Sequence, residues 1–268
     1  MITLIASLLA AILYLGGTLY QLDRLRKRQG ASPALLRSVG AAALVAHAVG
    51  LSTEIFTGQG LSFGFFHVSS LIAWLVIAVT LVFSLRAPVT SLLIVLFPLA
   101  LVTELLAWLF PDHRAATVPG HSALLVHVLL SILAYGILTI AAFQAALLAF
   151  QNHQLRHRNP VRFNHAFPPL QTMEALLFQF LLCGEVLLTL ALLSGFVFLD
   201  NMFAQGVAHK TLLSCLAWVV FAVLLWGRHV RGWRGSNAIR LTLGGFVLLM
   251  LAFFGSKLVR EILLPMTG

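Results

Sequence analysis

The sequence has 268 residues, of which 60% are hydrophobic and 9% are charged, and its mean hydropathy is +0.99. Soluble domains carry roughly 25% charged residues, so the composition excludes an ordinary soluble protein and indicates an integral membrane protein. A net charge of +9 would suggest a nucleic-acid partner in a soluble protein, but here the basic residues fall in short segments between apolar runs and report membrane topology instead.

Eight apolar segments are each long enough to cross the hydrocarbon core of a bilayer, which needs about 20 residues. They predict an all-α integral membrane protein, a bundle of about eight transmembrane helices that forms a single domain over residues 1–268. The fifth and sixth segments are longer than a bilayer requires, so we expect them to tilt or to project beyond it. The segments are 2–22, 35–56, 62–85, 89–110, 121–150, 170–199, 209–227 and 237–258.

The basic residues predict the orientation of the bundle. With the 23–34 loop in the cytoplasm, 13 of the 17 Lys and Arg residues lie inside, which favours this orientation over its inverse. Both termini are then extracytoplasmic. The first span is expected to remain uncleaved, because its positive charges follow the apolar run, whereas those of a signal peptide precede it. The four basic residues left outside are Arg114, Lys210, Lys257 and Arg260.

No known catalytic motif is present in the sequence. It has no nucleophile–base arrangement, phosphate-binding loop or metalloprotease helix, and we therefore expect that the protein is not an enzyme. Cys183 and Cys215 both lie within apolar runs, and no C-x-x-C-H sequence is present, so covalent haem attachment is not expected.

Ionisable residues inside the predicted spans are concentrated in the outer half of the bilayer. Such side chains are costly in hydrocarbon and usually face a cavity or one another. We expect at least two of the histidines to line one outward-facing pocket, although each could instead hydrogen-bond a neighbouring helix. His127 shares a helix face with Ser131 and Tyr135, so it is expected to point into the bundle. The residues concerned are His47, Glu54, His67, Glu104, His127, Glu185 and His209.

Two stretches of the sequence resemble the cytochrome c assembly protein family, the membrane proteins that handle haem for cytochrome c maturation. One is AWVVFAVLLWGRHVRGWRG with the SNAIRLTLGGFVLLMLAFFGSK that follows it, and the other is HVLLSILAYGILTIAAFQAALL from His127. The resemblance is firmest over 120–258, so residues 1–118 are taken as four less family-specific helices and 119–268 as the family-like core. The strings HKTLLSCLAW, GRHVRGWRG and FGSK most resemble the short YpjD-like branch, which implies a location in the bacterial inner membrane.

The resemblance also implies candidate site residues. The helix that begins at His127 is similar to the family helix that carries the first outward-facing haem-ligating histidine. Lys210 matches a lysine that precedes the family's next matched helix, and His209 stands where the family has proline. We expect His127 and His209 to be the axial ligands of haem iron, with His67 and His47 as further candidates. The ammonium group of Lys210 is expected to pair with a haem propionate.

These observations favour a membrane protein of the cytochrome c assembly type, with haem bound in an outward-facing pocket between helices. The alternative is a partner or regulatory subunit of a membrane enzyme or transporter, built on the same scaffold without haem. The expected partners are the lipid bilayer, haem, and another membrane protein or cytochrome assembly component.

Overall fold

The structure, a computed structural model, describes residues 2–27, 29–57, 60–62, 64–110, 117–118, 122–156, 167–198 and 208–255. Within these ranges eight helices are long and apolar enough to cross a membrane, which confirms the predicted number of spans. A 3₁₀ turn, Thr90–Leu92, leads into the fourth helix, and a π-helical turn, Leu251–Gly255, continues the eighth. The helices are α1 Ile2–Arg26, α2 Pro33–Ile55, α3 Phe65–Ser84, α4 Leu93–Leu109, α5 Ser122–Arg156, α6 Leu170–Phe198, α7 Ala208–Arg231 and α8 Ser236–Met250.

Helices α5 and α6 exceed the length that a bilayer requires, as the sequence predicts. They contain 35 and 29 residues, whereas about 20 residues span the hydrocarbon core. Their additional turns therefore extend past the core or are accommodated by tilt.

A small antiparallel sheet accompanies the helices, and the predicted all-α class stands because its strands contain only two or three residues each. Its strands are β1 Phe56–Thr57, β2 Gly60–Ser62 and β3 Thr117–Val118, in the order β1-β2-β3. Residue pairs such as Leu61–Val118 connect the segment after α2 with the segment before α5. Strands of two or three residues are too short to show the alternation of apolar and polar residues from which a strand is predicted.

The chain divides into two compact units. Unit 1 comprises Met1–Pro119 and Gln151–Thr172, and unit 2 comprises Gly120–Phe150 and Met173–Gly268. Unit 1 contains α1 to α4, and unit 2 contains most of α5 and α6 together with α7 and α8. The boundary after Pro119 lies next to residue 118, where the sequence separates the less family-specific helices from the family-like core.

Unit 1 is built around Tyr14 of α1 and Phe97 of α4, both fully buried, with ring centroids 5.6 Å apart. The Phe97 ring occupies the space beside Gly17 and Gly40, where a Cβ would overlap it or press against it. These two glycines therefore let α1 and α2 approach the ring closely, and a larger residue at Gly17 would push the aromatic core apart.

The outward surfaces of the helices are apolar. On α1, for example, Leu8, Ile12, Leu15 and Leu19 recur every three or four residues and are 46–65% exposed. An exposed aliphatic face of this kind is unfavourable in water and favourable against lipid tails. The bilayer is therefore the environment of these faces, in agreement with the expected lipid contact.

Hydrogen bonds in unit 2 fix an antiparallel arrangement of three helices. Gln144 of α5 donates to the Met173 carbonyl of α6 (2.9 Å), and the Trp218 indole of α7 donates to Thr189 Oγ1 of α6 (2.8 Å). Further along the same α6–α7 interface Arg228 pairs with Glu174. The beginning of α5, the end of α6 and the beginning of α7 therefore lie at one end of unit 2.

Candidate functional site

His127 lies on α5 at that end of unit 2, half-buried and turned against α6. Its Nδ1 atom is 3.0 Å from the carbonyl oxygen of Ala191 and 3.0 Å from Oγ of Ser194. The Ser194 hydroxyl itself donates to the Ala191 carbonyl at 2.8 Å. A carbonyl oxygen only accepts hydrogen bonds, so the Nδ1 atom of the neutral ring carries the proton.

This tautomer leaves the Nε2 atom of His127 with a lone pair. Within the described residues, Nε2 has no hydrogen-bond partner. Histidines that bind metals characteristically donate their other ring N–H to a carbonyl or carboxylate, which fixes the ring and keeps the ligating nitrogen basic. The surroundings of His127 therefore fit a ligand of haem iron.

The helix face that includes His127 points into unit 2, as its spacing predicts. Ser131, one turn along α5, donates to the His127 carbonyl at 2.8 Å. Tyr135, one further turn along, is 5% exposed and packs against aromatic rings of the chain's last described turns, among them Phe253 at a centroid distance of 5.3 Å. The face is therefore packed against protein.

His209 and Lys210 occupy the first turn of α7, where His209 is exposed and Lys210 half-buried. They lie at the same end of unit 2 as His127. We take the Trp218–Thr189 hydrogen bond as a common reference point. At a rise of about 1.5 Å per residue, His209 lies about 13 Å from it along α7, towards that end. The α6 residues that hold His127 lie about 3–8 Å from it along α6, in the same direction. His209 is thus the nearer of the two to the helix ends.

His47 occupies a different environment, in the core of unit 1. It is 1% exposed, and its Nδ1 and Nε2 atoms lie 3.1 Å from the Tyr14 hydroxyl and 2.8 Å from the Ser70 hydroxyl. Both ring nitrogens are engaged, so binding iron would require one of these hydrogen bonds to break. In this arrangement His47 links α1, α2 and α3.

The remaining ionisable residues divide between the two units. His67 and Glu104 are buried in unit 1, and the side chain of Glu54 lies outside the described residues. Two of the four predicted histidines therefore belong to each unit, and the expectation that at least two of them line one outward-facing pocket stays a prediction. No group of three or more His, Cys, Asp or Glu suited to a metal ion occurs among the described residues. That finding does not bear on haem, because haem iron takes only one or two protein ligands.

Glu185, on α6 in unit 2, is buried without a visible partner. It is 7% exposed, and neither carboxylate oxygen has a hydrogen-bond partner among the described side chains. Its main-chain carbonyl accepts a hydrogen bond from Thr189, which holds the Trp218 indole. Burying a carboxyl group without a hydrogen-bond partner costs free energy of folding. Glu185 is therefore a residue to test by substitution.

Several site residues were not predicted from the sequence. Ser194 and the Ala191 carbonyl orient His127, and the only sequence signal for them is one hydroxyl in an apolar run. At the opposite end of α7, Arg228 pairs with Glu174 at 2.8 Å, and the Trp233 ring packs on Gly227. That end is therefore held by an ion pair and an aromatic contact within unit 2.

Comparison with known proteins covers most of the chain. The model of the cytochrome C assembly protein family matches residues 35–264, which adds α2 to α4 to the part that resembles the family. "Inner membrane protein YpjD" of Escherichia coli (strain K12) is 35% identical over 225 residues, 82% of this chain and 84% of that protein. "Cytochrome c biogenesis protein CcsA" of Prochlorococcus marinus (strain NATL1A) is 26% identical over 111 residues, 41% of this chain and 34% of that protein. No solved structure matches significantly. Because the family match covers well over half of the chain and a relative above 30% identity covers most of it, the chain belongs to the cytochrome c assembly protein family.

Proposed function

We propose that this chain is a multi-pass protein of the bacterial inner membrane that binds haem and takes part in cytochrome c assembly. Membership of the family supports a role in haem handling, as do the names of two relatives, an inner membrane protein and a cytochrome c biogenesis protein. The proposed role is to bind haem, with no catalytic step assigned to any side chain.

The arrangement of His127 is the observation that carries the proposal. The Ala191 carbonyl and Ser194 hydroxyl hold the Nδ1 side of the ring, and Nε2 keeps its lone pair. Bound haem supplies an iron atom that accepts such a nitrogen as an axial ligand. The ring is already oriented by two α6 contacts, so little rotamer freedom remains to be lost on binding.

His209 is proposed as the second axial ligand, because it starts α7 at the same end of unit 2. Its exposure leaves its ring accessible to a cofactor that enters from that end. Lys210 follows it and contributes the positive charge that a haem propionate would pair with.

A second function, a partner or regulatory subunit without haem, is favoured by one specific observation. In unit 1, both ring nitrogens of His47 lie within hydrogen-bond distance of hydroxyl groups of neighbouring helices. A scaffold that uses an intramembrane histidine in this way has no need of a cofactor at that position. The two functions differ in whether the purified protein contains haem.

The test is the absorption spectrum of the full chain, purified in detergent from cells grown with added haem. We expect a Soret band in the wild type, its loss in His127→Ala, and a shift or loss in His209→Ala. His229→Ala is the matched control, because His229 is exposed at the opposite end of α7. If haem is present and neither His127→Ala nor His209→Ala changes it, the ligand assignment is wrong. A colourless wild type would favour the second function.

A further inference from the structure

Unit 1 contains a cavity of about 340 Å³ where the connections between its helices meet. This loop-end cavity is lined by the end of α1, the start of α2, the turn between α3 and α4, and the residues around the start of α6. Polar side chains on its wall include Gln21, Arg24, Thr90 and Ser91, and apolar ones include Leu36 and Ile94. The cavity therefore combines hydrogen-bond donors with an apolar wall.

Gln21 lines this cavity, and its side chain carries an unsatisfied donor. It is 4% exposed, and its Nε2 atom is buried without a hydrogen-bond partner among the described residues. A buried amide N–H₂ that makes no hydrogen bond is destabilising relative to one that does. A ligand that accepts a hydrogen bond from it would remove that penalty.

Arg24, one turn after Gln21 on α1, supplies a positive charge. Its Nε atom donates to the Gly30 carbonyl at 3.2 Å, which orients the guanidinium group, and the described residues provide no carboxylate to pair with it. The neighbouring Asp23 pairs with Lys27 at 2.8 Å. None of the described residues that line the cavity is acidic, so Arg24 gives this lining a net positive charge.

The starts of two helices reinforce that charge. The wall includes Thr90 and Ser91 in the 3₁₀ turn that leads into α4, and Thr172 in the first turn of α6. Helix N-termini present uncompensated N–H groups and favour anions. The 3₁₀ turn into α4 has no side-chain cap hydrogen bond.

From this combination we propose that the loop-end cavity is a binding site for a phosphate-bearing anion. The phosphate accepts hydrogen bonds from Gln21 Nε2, from the guanidinium group of Arg24 and from the Ser91 hydroxyl. Leu36 and Ile94 contact the organic part of the ligand. The chemistry is shared by an anionic phospholipid headgroup and by a free phosphate ester. It does not depend on whether the protein binds haem.

The test uses the full chain, delipidated in an uncharged detergent, with dihexanoyl phosphatidylglycerol and glycerol 3-phosphate as separate probes. Native mass spectrometry counts bound molecules, and a titration gives the dissociation constants. We expect one tight site per chain. Arg24→Gln should weaken binding about tenfold, the effect of a lost charge-assisted hydrogen bond, and Gln21→Leu about threefold to tenfold. Binding of the lipid alone identifies a headgroup site, and binding of both probes identifies a phosphate-ester site.

Arg26→Gln is the matched control, since it removes the same charge from an exposed position on α1 that does not line the cavity. It should change the dissociation constants less than twofold. Equal weakening by Arg24→Gln and Arg26→Gln would show diffuse attraction to a basic surface and overturn the proposal. Failure of both probes to bind the wild type would overturn it as well. Gln21→Leu keeps the charge, so it tests the site even if Arg24→Gln fails to fold.

Discussion

The imidazole of His127 on α5 donates its Nδ1–H to the main-chain carbonyl of Ala191 on α6, 3.0 Å away and 64 positions later in the chain. This contact sets the tautomer of the ring and directs Nε2 away from α6. It also makes the ring orientation depend on how α5 packs against α6, which gives the first prediction.

Ser194→Ala should weaken haem binding without abolishing it. The change removes one of the two acceptors of the His127 N–H and leaves the Ala191 carbonyl in place. Contacts of this kind typically affect metal affinity 10–100-fold, and we expect about tenfold because one acceptor remains. A haem titration followed by absorbance measures it. Ser131→Ala is the control, because Ser131 bonds the His127 main chain only; equal losses in the two variants would argue against ring orientation as the cause.

Glu174→Gln should lower the stability of unit 2. Glu174 and Arg228 are 17% and 28% exposed, so their 2.8 Å ion pair is partly shielded from water, and Arg228 also lies over the Phe178 ring. Loss of the charged acceptor should cost about 1–2 kcal/mol. Thermal unfolding in detergent measures the change.

The control for that variant is Asp23→Asn, which breaks a pair of the same length, 2.8 Å to Lys27, whose side chains are 51% and 61% exposed. Exposed pairs contribute little, so its melting temperature should stay close to that of the wild type. A larger effect of Asp23→Asn than of Glu174→Gln would contradict the assignment.

Gly227→Ala should destabilise the end of α7. A Cβ at Gly227 would overlap the Trp233 ring, and overpacking of this kind costs about 1–3 kcal/mol. Gly244→Ala in α8 is the matched control, because nothing lies within 4 Å of its added Cβ. Alanine favours helix over glycine by up to about 1 kcal/mol, so the control should be neutral or slightly stabilising. Similar melting temperatures for both variants would rule out the Trp233 contact as a constraint.

Glu185→Leu should raise the free energy of unfolding. The substitution removes a buried carboxyl that has no partner among the described residues and replaces it with a side chain of similar volume. We expect a gain of about 1–3 kcal/mol, measured by thermal unfolding. A loss of stability instead would mean that the carboxyl has a stabilising partner beyond the residues described, or a bound one.

Reporter fusions test the orientation, which rests on the distribution of basic residues. A reporter inserted at 86–88 or at 232–235 should be active in the cytoplasm, and one at 112–118 should be active outside. Activity of the 112–118 fusion in the cytoplasm would reverse the orientation and contradict the proposed outward-facing haem site.

The sequence alone determined the number of spans, the excess length of α5 and α6, and the family. These are properties of local composition: a run of about 20 apolar residues has to form a helix in a bilayer, because no water is present there to satisfy the backbone. The family was recognised from sequence motifs such as GRHVRGWRG, for which no tertiary structure is needed. The small sheet was not predicted, because its strands are too short to show a recognisable sequence pattern.

Tertiary structure decided which histidine keeps a nitrogen for a ligand. His47 and His127 look alike in sequence, each one imidazole in an apolar helix. In the folded chain, the hydroxyls of Tyr14 and Ser70 contact both ring nitrogens of His47. The Ala191 carbonyl and the Ser194 hydroxyl, in contrast, contact only the Nδ1 atom of His127. These partners come from other helices, 23 to 67 positions away in the chain. Which of them a ring meets depends on how each helix is rotated against its neighbour, and that rotation is set by the packed side chains of the whole interface.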